Sequence, residues 1–351
     1  MPCFKFSHVS IKGVAAAVPA QIRRNADYDW ISMEERELLI KTTGIEKRHI
    51  APDGMTCSDL CAAAAEQLIT DIGWDKSEID ALIFVSQSMD YYLPATAIIL
   101  QGKLGLSKSC MAFDVGLGCS GYVYGLSVIS GLMQSGGIRK ALLLVGDKSS
   151  VGSNVKDKSS YPLFGDAGTA TALVYDEQAS NIYFNLQSDG NEYKSIIIPH
   201  GGGRHHIDMS SFEEHEVEPG IIRHQRNLCL DGMAIFNFSL REVAPNVNAA
   251  LSFANRSKEE IDYFVFHQAN LIMNESVRKK LKVEKEKVPY SLADYGNTSS
   301  ASIPITMIHC LSNTLRNGQN KLLLCGFGVG LSWGSVILET NNLTISEMQF
   351  L

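Results

Sequence analysis

Short, unbroken apolar runs alternate with longer mixed stretches along most of this chain. Asp80-Ala-Leu-Ile-Phe-Val-Ser86 holds five consecutive apolar residues between polar ends, the pattern of a strand buried on both faces. Lys140-Ala-Leu-Leu-Leu-Val-Gly146 has the same form, and the stretch from Tyr122 to Gln134 before it reads as a helix. Thr56-x-x-Asp59, ahead of an Ala-rich segment, is a capping box that opens another helix. Strands of this kind alternating with helices predict an α/β layered fold.

The pattern also repeats. Glu78-Ile-Asp-Ala-Leu-Ile-Phe84 has a counterpart in Glu260-Ile-Asp-Tyr-Phe-Val-Phe266, at an offset of 182 residues. Gly137-Ile-Arg-Lys-Ala-Leu-Leu-Leu144 is echoed by Gly318-Gln-Asn-Lys-Leu-Leu-Leu-Cys325, at an offset of 181. Each second segment leads through a Gly-rich turn into a β-branched strand, Phe164–Val174 and Phe327–Ile337. Buried strands resemble one another because they share Leu, Val and Phe, but a near-constant offset favours duplication. Two pseudo-symmetric halves are expected, 1–176 and 177–351, with any active site at their interface. The polar, His-rich stretch from His200 to Asn227 has weak periodicity and is expected to form a long loop or cap beside a substrate entrance.

Composition narrows the class. The chain has 351 residues, is 45% hydrophobic and carries a net charge of −7 without any long basic block, which disfavours broad nucleic-acid binding. No run of 18 apolar residues occurs, and the first residues lack a signal-peptide pattern. Eight cysteines are present without a CxxC pair, and most sit in apolar runs, as reduced thiols of a cytoplasmic protein do. Cys57 and Cys61, four apart on the expected helix, read as core packing. The loop His200-Gly-Gly-Gly-Arg-His205-His206 lacks a Cys or carboxylate at ligand spacing, so no metal is expected.

Against that background one cysteine stands out. Asp114-Val-Gly-Leu-Gly-Cys119-Ser-Gly-Tyr122 places Cys119 where an apolar segment ends in a Gly/Ser turn and a helix follows. A thiol at a helix N-terminus faces free N–H groups and the positive end of the dipole, which favour the thiolate. His267 ends the second repeated strand, at a position occupied by Val85 in the first half. A lone His is most often a satisfied core residue, yet strand C-termini of α/β sheets are where ligands gather. Asn297, in Gly296-Asn297-Thr-Ser, is a turn residue whose ordinary role is helix capping. The offset of 181 brings this turn close to the counterpart of the Cys119 turn. Pseudo-symmetry would then aim both helix N-termini at one interface.

These segments carry a resemblance. Cys119 with Ser-Gly-Tyr-x-Tyr, His267-Gln-Ala-Asn270 and Gly296-Asn297-Thr-Ser, together with Asn25-Ala-Asp, Thr43-Gly-Ile-Glu-Lys-Arg48 and Trp333-Gly-Ser, make the chain similar nearly end to end to the β-ketoacyl–acyl-carrier-protein synthase III family. The resemblance implies a thiolase-like fold, a layered α-β-α-β-α sandwich, and a Cys119–His267–Asn297 triad for acyl transfer to sulfur and decarboxylative condensation with a malonyl thioester. It implies an oxyanion hole from the backbone N–H groups of Cys119 and Val329, the latter in place of a family Gly. Phe327 would crowd the malonyl carboxylate. Acyl carrier protein as partner, thioester substrates, no cofactor and a homodimer are implied as well.

Departures fall on the carrier side. Leu38 stands where the family's coenzyme-A users carry Trp, Lys41 replaces an Arg, and Ile272 replaces a docking Arg while Lys279 and Lys280 keep positive charge. Leu93 stands where a Phe commonly limits acyl length across the dimer, and Asn270 is expected at the substrate. These changes leave a second outcome open, in which the acyl group passes to a hydroxyl or amine of a specialised metabolite without condensation. A papain-like protease shares the Cys, His, Asn order, but it lacks an internal duplication and carries a different signature around its Cys.

Overall fold

A computed structural model describes residues 3–351 of the chain. Two twisted sheets dominate it. The first runs in the order Thr344–Ile345, Val9–Val18, Asp166–Tyr175, Lys140–Lys148, Ala81–Val85, Met111–Val115, with Gln349–Phe350 also pairing Val9–Val18. The second runs Cys3–Phe6, Ile182–Ser188, Ser332–Asn341, Gln319–Gly328, Tyr263–Phe266. The repeated segments take corresponding places: Ile83 lies opposite Leu143 in a parallel pair of the first sheet, and Val265 opposite Leu324 in a parallel pair of the second. The second sheet has no strand at the place of Met111–Val115, and each sheet borrows edge strands from the far end of the chain.

Both sheets are covered on two faces, which is why their central strands read as continuous apolar runs. Helices Gly121–Met133 and Ser302–Arg316 lie between the sheets and share one core with Ile83, Leu143, Val265 and Leu324. The outer face of the first sheet is closed by helix Cys57–Ile72, whose capping box forms as the sequence predicts, and Cys57 and Cys61 are core residues there. Helices Ala244–Phe253 and Leu271–Leu281 close the outer face of the second sheet. The result is the expected five-layer α-β-α-β-α arrangement, with two helix N-termini brought to the seam between sheets.

The stretch from His200 to Asn227 is mostly loop. It contains a short ribbon, His215–Glu218 with Ile221–Arg223, which the weak periodicity did not announce. Its ends reach the seam at His200 and Arg226. Among the described residues, no helix is long and apolar enough to cross a membrane.

Candidate active site

A cavity of about 1100 Å³ opens along the seam, and Cys119, His267, Asn297, Phe327, Val329 and Asn270 all line it. Three chain segments build its reactive end.

Cys119 sits in the turn between strand Met111–Val115 and helix Gly121–Met133. The Gly121 N–H donates to the Gly118 carbonyl at 2.6 Å, tightening the turn. Strand Gln319–Gly328 comes so close from the other sheet that a Cβ on Gly328 would stand 2.6 Å from Cys119 Cβ and 2.8 Å from its Sγ. Gly328 has φ +155, so steric room and backbone both require glycine there. Beside it the Ser120 and Ser332 hydroxyls meet at 2.6 Å.

The Cys119 thiol is pushed up to about 11 by burial and by the nearby Asp147 charge, against hydrogen bonds from the Val329 N–H and the Ser299 hydroxyl. The sequence argument from the helix dipole expected a thiolate. Removal of the sulfur from water outweighs the dipole, and the resting group is the neutral thiol.

His267 directly follows strand Tyr263–Phe266 and extends its ladder, its N–H donating to the Cys325 carbonyl at 2.8 Å. The ring is buried, packed edge-on against Phe327 at 5.6 Å between centroids. Ser302 Oγ lies 2.7 Å from Nδ1 and also accepts from the Gln268 N–H at 3.3 Å. With the Ser302 hydroxyl donating to Nδ1, the ring's proton stands on Nε2. Burial drives the imidazole pKa down to about 4, against a Ser299 backbone hydrogen bond, so the ring is neutral near pH 7.

Asn297 is held by its backbone to the other half of the molecule: its N–H donates to Leu163 O at 2.9 Å, and its carbonyl accepts from the Gly165 N–H at 3.1 Å. Its Oδ1 accepts from the Ser299 N–H at 2.9 Å, which fixes the amide orientation. Nδ2 has only a long, 3.5 Å contact with the Ala269 carbonyl, at the limit of a hydrogen bond, and keeps donor capacity for a ligand.

The remaining expected residues divide. Asn270 caps helix Leu271–Leu281 by accepting from the Met273 N–H at 2.9 Å and lines the cavity as well. Lys41, Leu93, Lys279 and Lys280 are surface residues outside the cavity lining, Leu93 with 87% of its surface exposed. Lys280 spends its ammonium on the Leu240 carbonyl, at 2.6 Å. Sequence reasoning missed Ser299, Ser302, Gly328 and Asp147. Asp147 alone left a trace, as a charge at the end of an otherwise apolar strand. Among the described residues no group of three or more His, Cys, Asp or Glu is placed to hold a metal.

Comparison with known proteins gives the family and the fold. The models of 3-oxoacyl-[acyl-carrier-protein] synthase III match residues 113–190, and those of its C-terminal part match residues 251–340. A β-ketoacyl-[acyl-carrier-protein] synthase III of Lactococcus lactis is 34% identical over 334 residues, covering 94% of this chain and 98% of that protein. A putative 3-oxoacyl-[acyl-carrier-protein] synthase 3 of Campylobacter jejuni is 33% identical, covering 97% of this chain and 96% of its own length. The crystal structure of a 3-oxoacyl-(acyl-carrier protein) synthase from Burkholderia xenovorans superimposes with a TM-score of 0.94 at 37% identity, covering 100% of this chain and 99% of that one.

Proposed function

We propose, because this chain belongs to the β-ketoacyl-[acyl-carrier-protein] synthase III family, that it condenses an acyl thioester with a malonyl thioester through Cys119, His267 and Asn297. The observation that carries the residue assignment is their common opening into one cavity, with Ser302 occupying His267 Nδ1 and so reserving Nε2 for substrate.

Cys119 attacks the acyl thioester carbonyl, and its proton leaves on the departing carrier thiol. The N–H groups of Cys119 and Val329 hold the oxyanion of that step. A malonyl thioester then loses CO₂, and negative charge builds on its thioester oxygen. His267 Nε2–H and Asn297 Nδ2–H stabilise that enolate. Phe327, edge-on to His267, bounds the malonyl carboxylate on its apolar side. The enolate attacks the acyl–Cys119 carbonyl, the β-ketoacyl thioester leaves, and Cys119 sulfur recovers a proton from solvent. Because the imidazole is neutral, it contributes a hydrogen bond without pairing with the malonyl carboxylate, which favours CO₂ loss.

The same reading makes the protein a cytoplasmic homodimer of two duplicated halves, 1–176 carrying the nucleophile and 177–351 carrying the two donors. Its thioesters would be presented on acyl carrier protein or coenzyme A, with no cofactor. Leu93, Lys41, Lys279 and Lys280 would serve the carrier or the partner copy from outside the cavity. Intact-mass analysis after incubation with a panel of acyl-CoA and acyl-carrier thioesters tests the reaction. An acyl adduct on Cys119 that disappears when malonyl thioester is added, with release of a β-ketoacyl product, is expected. An adduct that malonyl thioester leaves untouched while a hydroxyl or amine acceptor discharges it would overturn condensation.

A further inference from the structure

Asp147 lies near the end of strand Lys140–Lys148, 2% exposed, and plays no part in the reaction as described above. Its Oδ1 accepts from the Ser86 hydroxyl at 3.1 Å and the Gln87 N–H at 2.7 Å. Its Oδ2 accepts from the Ser300 hydroxyl at 2.6 Å and the Ser300 N–H at 3.3 Å. With the Ser88 hydroxyl at 3.5 Å from Oδ1, five donors surround one side chain; they match an ionised carboxylate, which only accepts, and work against the burial that raises its pKa. The adjacent Lys148 sends its ammonium to the carbonyls of Pro52 and Met55, at 3.0 and 2.8 Å, and does not pair with it.

Gln87 and Ser300 lead to the reactive end of the cavity. Gln87 Oε1 packs on Gly118, where an added Cβ would stand 2.4 Å from it. Ser299, next to Ser300 in the chain, lines the cavity with Cys119 and Asp147. Ser300 lies three residues beyond Asn297, in a turn where Gly296 has φ +64 and Ser299 has φ +51. A non-glycine residue in the left-handed region persists only where its surroundings over-determine it. The two bonds from Ser300 to Asp147 supply that constraint.

We propose that Asp147 is a positioning residue for the condensation: it registers the Asn297 turn against the Cys119 turn and sets a carboxylate at the reactive end of the cavity, beside the sulfur. The inference rests on the reading of Asn297 as an enolate donor. The groups facing the sulfur are the Asp147 carboxylate from strand Lys140–Lys148, the neutral His267 ring from the end of Tyr263–Phe266, and the Ser299 hydroxyl. On its far side Asp147 faces the buried Cys57 thiol of helix Cys57–Ile72. A carboxylate beside the sulfur opposes a second negative charge there, adding to burial, which is the larger cause of the raised thiol.

Three variants and two readouts test this. The readouts are malonyl-thioester decarboxylation by the acylated enzyme, and the rate of iodoacetamide alkylation of Cys119 at pH 8, followed by peptide mass. Asp147→Asn removes the charge and turns an NH₂ group towards one pair of donors. Decarboxylation should fall by about 10- to 100-fold, while alkylation rises by about three- to tenfold. Ser300→Ala keeps the charge, so decarboxylation should fall by about tenfold with alkylation unchanged within about twofold. Loss of packing alone would not move the two readouts of Asp147→Asn in opposite directions. Parental decarboxylation, or slower alkylation, in Asp147→Asn overturns the inference. If that variant does not fold, parental decarboxylation by Ser300→Ala overturns it. Asn297→Ala separates the levels: if it is crippled while the other two are parental, only the role of Asp147 falls. If it decarboxylates normally, the reading of Asn297 falls and takes the inference with it.

Discussion

At the offset of 181 residues Cys119 corresponds to Ser300, and Asp147 corresponds to Gly328. The structure pairs these four residues crosswise. Cys119 of the first half packs on Gly328 of the second with no space for a Cβ, and Ser300 of the second half bonds Asp147 of the first. In each case a residue in the turn before a central helix meets a residue at the end of a central strand in the other sheet. The chemistry at the two crossings is opposite. One is bare, so that a sulfur and a substrate carbonyl can approach backbone N–H groups. The other is a charged, fully bonded clamp, which holds a turn in register and leaves its amide side chain free to donate. Corresponding turns and strand ends with unequal side chains are how one scaffold offers a nucleophile on one side and hydrogen-bond donors on the other.

The most severe way to break this division is to remove a donor from the second half. His267→Ala or Asn297→Ala should each slow malonyl decarboxylation by about 10²–10³-fold, the usual cost of one oxyanion donor. Acylation of Cys119 should persist, since its oxyanion is held by backbone N–H groups. Adduct mass and CO₂ release, measured on the same samples, check both halves of the statement. Acylation lost together with decarboxylation would mean that the two halves do not divide the work.

Gly328→Ala attacks the bare crossing. The new methyl would occupy the position 2.6 Å from Cys119 Cβ in a backbone with φ +155, so the strand or the Cys turn must move. A displacement of about 1 Å at reacting atoms costs about 100-fold, and overpacking of this kind costs about 1–3 kcal/mol of stability. Acylation should therefore fall by about 100-fold in rate, and urea unfolding should shift to lower concentration. A variant that acylates normally would show that the contact is incidental.

Much of this was legible in the sequence, and what was missed has a common cause. The strands Ala81–Val85 and Lys140–Lys148 and the capping box at Thr56 are local patterns, and all three form where the chain indicates. Cys119 and His267 stood out because each breaks a local rule, a thiol at a helix tip and an imidazole where the other half has Val85, whereas Asn297, an ordinary turn residue, was picked out by the repeat offset and the family resemblance. Ser302 and Ser299 break no rule, since serine near a helix start is ordinary. Their roles exist only through contacts with residues far away in sequence. Gly328 looked like any hairpin glycine, and its necessity comes from Cys119, which lies on the other sheet. The thiol's protonation was misjudged for the same reason: the dipole is visible in the sequence, whereas burial and the Asp147 charge are tertiary.

The neutral imidazole makes the second half sensitive to acid. His267 titrates at about 4 when folded and near the ordinary value of about 6.5 when unfolded. Between those values the unfolded chain takes up a proton that the folded chain refuses. This contribution to stability is fully present above pH 6.5 and is lost as pH falls towards 4, by about 3 kcal/mol in all. His267→Asn has no such group. Unfolding free energies of parent and variant at pH 7 and pH 4 should therefore differ in their pH dependence by about that amount, with the parent losing more. Equal losses would place the His267 ring in a more hydrated setting than its burial implies.

The smallest effect tests whether the bare crossing needs help from its neighbours. Ser120 follows Cys119 and meets Ser332 across the seam at 2.6 Å, both side chains buried. Ser332 Oγ also reaches the Val329 carbonyl at 2.8 Å, so its proton has a destination without Ser120. In this arrangement Ser120 donates to Ser332, and Ser332 donates to Val329. Ser120→Ala then removes one donor and leaves Ser332 Oγ one acceptance short, a loss of about 1 kcal/mol. Because the Ser332–Val329 bond survives, the turn carrying the Val329 N–H should stay in place and acylation should change by less than about threefold. Ser332→Ala removes both bonds and frees that turn. Its acylation rate should fall further than its stability would suggest, and equal acylation in the two variants would mean that the Val329 N–H is held by the strand alone.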